Sequence, residues 1–384
     1  MRTAKPVARR LESALVLFVA AAGVFGGIVG CGAESDVPVH GWFARSADGA
    51  PVRHLVLEGS DSEMGRAAGR LLRDDVRAAA SRPLPESLRP ALEGYARAMK
   101  PLAPASMLVE LEAMAAEAGV SADALFLREA ARDGLRWHEA EGAPRTASFA
   151  SVPGAEPDVV VALAGADADA AGFVVVERHP TGRPATLVIA RAGELGALGG
   201  ISAGGLVVVG AEVALPPERR TLKAPPFAWS VRAALERAST ADDAVGRIEA
   251  LCGHRVLAAD RANRRRLGLV TLAREPAREF DANAWVLSSS GAGGEADPLV
   301  AALDRRLASY AERPGAAEAV DLALSGRPTD VVGPVLRWTI GGGVRIVPGV
   351  ASNGIAAGGA GFDYGWAAGA AGEDRSGDGT RVPR

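Results

Sequence analysis

Hydrophobic and polar positions change rhythm several times along the chain. Residues 14–29 are apolar without interruption. From Val52 to Glu58 a β-like run follows, and Ser60-Asp61-Ser62-Glu63 has the spacing of a capping box, which predicts a helix from there to about Ala80. Pro83, Pro85 and Pro90 break that pattern. Apolar residues then recur at helical spacing over 91–100, 106–118 and 122–133, with Ser106 and Ser121 as expected N-caps. The first third therefore reads as mainly helical.

From Thr146 onward the period shortens. Strand-like runs fall at 146–152, 158–164, 172–178, 185–192 and 205–213, separated by Gly, Pro and Asp, with Pro180-Thr181-Gly182 as a hairpin tip. Helices are expected over Pro225 to Ala238 and Ala241 to Cys252, the second capped by Thr240. A strand pair, Arg255 to Asp260 and Leu267 to Ala273, turns at Ala262-Asn263-Arg264, and Ala284 to Ser289 adds another strand. Helices near 297–312 and 315–325 precede strands near 334–340 and 343–351, and the Gly-, Ala- and charge-rich segment 367–384 reads as a disordered tail. Helices in pairs and strands in runs favour a layered α+β domain over alternating βαβ units.

Composition narrows the function. The 384 residues are 48% hydrophobic and 5% aromatic, with a formal net charge of −3. That is ample for a core and supplies no basic field for nucleic acid. The five histidines, at 40, 54, 138, 179 and 254, show no metal-ligand spacing with Cys, Asp or Glu, so no catalytic metal is expected.

Arg2, Lys5, Arg9 and Arg10 precede the apolar run, and Ile28-Val29-Gly30-Cys31 closes it. This is the layout of an export signal. It resembles the lipobox of bacterial lipoproteins. As a helix the run reaches about 24 Å, short of a roughly 30 Å hydrocarbon core, which favours a cleaved signal over a permanent span. The resemblance implies a signal peptide over 1–30, a mature chain lipidated at Cys31, a tether over 31–50 and residence in the bacterial cell envelope. Gly32 stands where an acidic residue would imply inner-membrane retention, which points to the outer membrane. With Cys31 lipidated, Cys252 has no intramolecular disulfide partner.

A second resemblance covers roughly 52–350. Leu57-Glu58-Gly59-Ser60-Asp61-Ser62-Glu63-Met64-Gly65-Arg66-Ala67-Ala68-Gly69-Arg70-Leu71-Leu72 is similar to the opening of the acyl-coenzyme A:6-aminopenicillanic acid acyltransferase-like proteins, peptidase family C45. The small residues at 65, 68 and 69 would let a helix approach a neighbouring layer closely. Phe173 to Pro184 resembles the family's strand, His-Pro, Gly turn and next strand; Ala192-Gly193 through Leu206 resembles its Ala-Gly, Gly-Ile-Asn, Gly-Leu succession. The resemblance implies a four-layer αββα sandwich of N-terminal nucleophile hydrolase type over 51–366, with an N-terminal helical segment. It also implies self-cleavage that frees an α-amine to act as base for its own side-chain nucleophile.

The family's Gly-Cys-Thr-Ser-Phe corresponds here to Arg145-Thr146-Ala147-Ser148-Phe149, so Thr146 takes the cysteine position. Its hydroxyl keeps a nucleophile there. Thr146 is thus the candidate nucleophile, Arg145-Thr146 the processing bond, and Ser148 and Asp169 are secondary polar candidates for work on a small amide or acyl substrate. That implied chemistry calls for no diffusible cofactor, and an acyl-thioester donor belongs to the transferase version. Other positions depart from the family: Gly-Arg-Asn-x-Asp becomes Gly165-Ala166-Asp167-Ala168-Asp169, Ser202 replaces an Asn, and Ser288-Ser289-Ser290 replaces an Asn-His strand end. Because oxyanion stabilisation needs positioned donors, the alternative is a catalytically degraded relative that serves as a ligand-binding or envelope-interaction module. Gly200-Ile201-Ser202-Ala203-Gly204 also fits the G-x-S-x-G elbow of a serine esterase, which requires a helix after the serine.

Overall fold

The computed structural model describes residues 39–44, 50, 52–138, 146–151, 160–165, 172–212, 224–248, 254–261, 265–270, 278–280, 286–288, 335–339, 343–347 and 361–367. For 136–138, 146–151, 160–165, 265–270, 278–280, 286–288 and 335–339 it gives the course of the backbone. The expected signal segment, Cys31, Cys252, and the helices near 297–312 and 315–325 lie outside the described residues.

The capping box forms as the spacing requires. The Ser60 hydroxyl accepts from the Glu63 N–H, and the Glu63 carboxylate accepts from the Ser60 N–H, starting α1 (Asp61–Leu71). The single helix expected to Ala80 is instead two, because the backbone bends at Leu72 before α2 (Arg73–Ser81). Next come α3 (Arg89–Met99), a 3-10 turn over Lys100–Leu102, α4 (Ala105–Ala118) and α5 (Ala122–His138). Ser121 caps α5 through the Ala124 N–H, whereas Ser106 lies inside α4, which opens after Pro104. Gly65 and Gly69 lie where α1 crosses α4. A Cβ there would collide with the carbonyl oxygens of Glu110 and Met114, so the two backbones touch only because those side chains are absent.

The strands, in chain order, are β1 (Gly41–Phe43), β2 (Arg53–Gly59), β3 (Thr146–Ser151), β4 (Val160–Gly165), β5 (Phe173–Pro180), β6 (Thr186–Arg191), β7 (Gly199–Ser202), β8 (Val207–Glu212), β9 (His254–Ala259), β10 (Arg265–Val270), β11 (Arg278–Phe280), β12 (Val286–Ser288), β13 (Val335–Thr339), β14 (Val344–Val347) and β15 (Phe362–Tyr364). Helices α6 (Phe227–Arg237) and α7 (Ala241–Arg247) lie between β8 and β9. The strands form a nine-stranded sheet, β1-β2-β5-β6-β7-β8-β9-β10-β11, and a six-stranded sheet, β12-β3-β4-β13-β14-β15. Only the β2–β5 pair is parallel among the described ladders. The residues read as a tether therefore include a strand, since Gly41–Phe43 pair with Leu55–Leu57.

The central strands β5, β6, β8 and β9 of the large sheet are buried on both faces, which is why they read as nearly continuous apolar runs. Val174, Val176, Val188, Ala190, Val208, Val256 and Ala258 join the core under the helices. Their neighbours Phe173, Val175, Leu187, Ile189, Val207, Val209, Leu257 and Ala259 pack with Val344, Ile346 and Tyr364 of the small sheet. Each fully buried Val, Leu, Ile or Phe among them is worth about 1.5–3 kcal/mol. The fold is thus mixed α and β, with helices against one face of the large sheet and β14–β15 against the other. Among the described residues no helix is long and apolar enough to cross a membrane.

Candidate functional site

Thr146 is the first residue of β3, opposite Gly165 at the end of β4. Ser148 shares its face of the strand by the two-residue period, and stands opposite Leu163 on one side and Ser288 on the other. The topology therefore gathers Thr146, Ser148, Gly165 and Ser288 at one end of the small sheet. Asp169 lies outside the described residues.

The esterase reading of Ser202 fails on local structure. Ser202 ends β7 and turns directly into β8: its N–H bonds to the Leu206 carbonyl, Gly205 closes the turn at φ 82°, and no helix follows. Its side chain is buried and its hydroxyl accepts from the Leu206 N–H at 3.3 Å. A nucleophile elbow needs an exposed hydroxyl between a strand and a helix.

Three buried polar clusters were not anticipated from the sequence pattern. The first lies between the helices and the large sheet. The Glu110 carboxylate of α4 accepts from Arg178 of β5 at 2.5 Å and from Arg232 of α6. Arg232 also donates to Glu236 at 2.7 Å, and Glu236 accepts from Arg183, which pairs with Asp61. Burial pushes the Glu236 carboxyl up, but Arg232 and Arg178 outweigh it and hold it at about 2. Burial lowers the Arg178 guanidinium, with Arg232 acting in the same direction. Three arginines and three carboxylates balance, so this cluster is a neutral joint between layers.

In the second cluster, α5 anchors the β6–β7 turn and α6. Glu129 accepts from the Leu195 N–H at 2.7 Å, the Gly196 N–H at 3.0 Å and the Trp229 indole N–H at 2.6 Å. Burial, then the Glu194 carboxylate, raises Glu129 to about 7. One turn on, Asp133 accepts from the Phe227 N–H at 2.8 Å, supplying α6 with the cap that Pro226 cannot.

The third cluster faces the small sheet. Glu177 of β5 is fully buried, with His179 Nε2 2.7 Å from Oε1, His54 Nε2 of β2 3.1 Å from Oε2, and the Ala367 N–H donating to Oε2 at 2.8 Å. Burial pushes its carboxyl up, but the hydrogen bond from His179, the adjoining His54 imidazole and the Ala367 N–H outweigh that and hold it at about 2. A sequence signal for this cluster existed. A glutamate at the end of Phe173-Val-Val-Val, with a histidine two residues on, puts two polar groups on a buried face, where they require partners.

Among the described residues no group of three His, Cys, Asp or Glu is placed to hold a metal ion. The groove between α1 and α4, lined by Ser62, Arg66, Val109, Glu112 and Glu117, is open and mixed in charge.

No protein-family model matches the chain, and no curated protein sequence matches it. Among solved structures, a Caenorhabditis elegans ortholog of N-acylethanolamine-hydrolyzing acid amidase is similar over 46% of this chain and 84% of its own, at 11% identity and a TM-score of 0.36. Penicillin V acylase from Agrobacterium tumefaciens is similar over 53% of this chain and 82% of its own, at 11% identity and a TM-score of 0.35. Likeness at this level decides neither fold nor activity.

Proposed function

We propose that this chain is an amide-acting acyl-transfer enzyme of N-terminal nucleophile type, held in a bacterial cell envelope by lipid on Cys31. In this reading the helices expected near 297–312 and 315–325 complete a four-layer αββα sandwich. The observation that supports it is the position of Thr146, which opens β3 with Gly165 across the ladder. The Arg145-Thr146 bond thus leads directly into a strand, and a free α-amine at Thr146 would be fixed by the sheet.

The chemistry follows from that position. The Thr146 hydroxyl oxygen attacks the Arg145 carbonyl carbon, the C–N bond breaks, and water hydrolyses the resulting ester to leave a carboxylate on residue 145 and an amine on residue 146. With a reference pKa of about 8, that amine takes the hydroxyl proton as the oxygen attacks a substrate amide, then returns it to the departing amine. Water releases the acyl group from the threonine ester. A second nucleophile in place of water gives transfer.

A panel of N-acyl amines of differing acyl length tests the reaction. The expected result is release of amine and an acyl mass on the peptide beginning at Thr146, both lost in Thr146→Ala. Absence of both from a folded wild-type chain overturns the reading.

One observation favours the second reading, a degraded relative that binds without turnover. Ser202, in the position of an expected amide donor, is buried and bonded within its own hairpin. Saturable binding of the same N-acyl amines without amine release would select it.

A further inference from the structure

Residues 362–367 cross the start of the domain from more than three hundred positions away. The Tyr364 hydroxyl donates to the Val52 carbonyl at 2.8 Å and accepts from the Val52 N–H at 3.1 Å. Three residues later the Ala367 N–H reaches Glu177. Between them, the Tyr364 ring meets His54 edge-on at 6.3 Å and the Trp366 ring meets His179 at 6.4 Å. The segment thus covers a carboxylate flanked by two imidazoles. His54 is 6% exposed at its side chain, Glu177 0%, and His179 31%.

We infer that residues 362–367 form a pH-sensitive clasp over the Glu177 carboxylate and its two histidines, tight in acid and loosened in base. The clasp runs from β15, at the far edge of the small sheet from β3 and Thr146, onto β2 and β5 of the large sheet, and does not depend on the enzymatic reading.

Its cause is local electrostatics. His179 faces Glu177 on its own strand, Glu58 across the ladder on β2 and the Trp366 ring of the clasp, while His54 of β2 and Tyr364 of the clasp meet each other on the far side of Glu177. His40, 3.3 Å from Glu63, lies beyond Glu58, and Arg178 points to the opposite face of the sheet. Tyr364 stays neutral in this range, since burial pushes its phenol up. With the clasp closed, water is excluded from Glu177. The hydrogen bond His179 donates to Glu177, opposed by burial and aided by the charges of Glu177 and Glu58, raises the imidazole above its ordinary value of 6.5. Lifting residues 365–367 admits water, screens the pair and returns His179 toward that value. Closure therefore takes up a proton. The stabilisation is complete below about 6.5 and is lost as pH rises through the raised value.

The test is hydrogen exchange at the Ala367 amide in the full chain, corrected for intrinsic rates, at about pH 5.5 and about pH 8.5. The expected result is a loss of protection of about threefold or more at the higher pH, with α4 amides unchanged as the internal reference. His179→Gln keeps a donor toward Glu177 but cannot titrate, so its Ala367 protection should be the same at both values. Glu177→Gln should flatten the dependence as well, and reports independently if the first variant disturbs the strand end. Equal wild-type protection at both pH values overturns the inference. So does a pH-dependent loss in His179→Gln as large as in wild type.

Discussion

The two faces of β5 solve the same problem with different groups. Towards the helices, Arg178 enters a set of arginines and carboxylates that balance charge. Towards the small sheet, Glu177 is met by imidazoles and one backbone N–H. Both carboxylates at the heart of these clusters, Glu236 and Glu177, are held at about 2. The difference lies in their partners. Guanidinium keeps its charge at every physiological pH, whereas imidazole does not. One sheet thus carries a joint indifferent to neutral pH on one face and a joint responsive to it on the other.

The largest effect expected from breaking this contrast is Glu110→Ala, which leaves Arg178 and Arg232 buried without their shared acceptor. It should destabilise the chain by about 3–5 kcal/mol in chemical denaturation, with little change in cost between pH 6 and 8. Next is Gly65→Val, which forces α1 off α4 and pulls at the same joint through Met64, whose sulfur lies 3.8 Å from Arg178. A loss of about 1–3 kcal/mol is expected. In acid the two faces should behave alike. Stability supplied by Glu236 and Glu177 is present above about 4.5 and lost as pH falls toward about 2. Glu236→Gln and Glu177→Gln should each remove roughly 1–2 kcal/mol of that acid slope, measured by thermal midpoints across the range. The smallest effect is Ser60→Ala, which removes no charge from either joint and should cost about 1 kcal/mol through loss of the α1 cap.

How much of this was readable in the sequence differed by kind of interaction. The capping box at Ser60 and the caps at Ser121 and Thr240 are local, and they form as read. Strands β5, β6, β8 and β9 were legible because burial on both faces leaves an unbroken apolar run. β7, Gly-Gly-Ile-Ser, was not, because its conformation is imposed by β6 and β8. Gly200 is there for space, since a Cβ would meet the Leu187 carbonyl oxygen at 2.6 Å. β1 is three residues long and acquires its pairing from β2. The position of Thr146 at a strand start followed from the onset of β-like periodicity, but its candidacy as nucleophile came from family resemblance. The Glu177 cluster brings together residues 54, 177, 179 and 367, a juxtaposition no local pattern encodes.

Intact mass of the mature chain beside Thr146→Ala tests the enzymatic proposal most directly. The account predicts two fragments from wild type, the second beginning at Thr146, and a single uncut chain from the variant. An uncut wild-type chain, folded by its thermal transition, would contradict the self-processing nucleophile and leave the binding-module reading in its place.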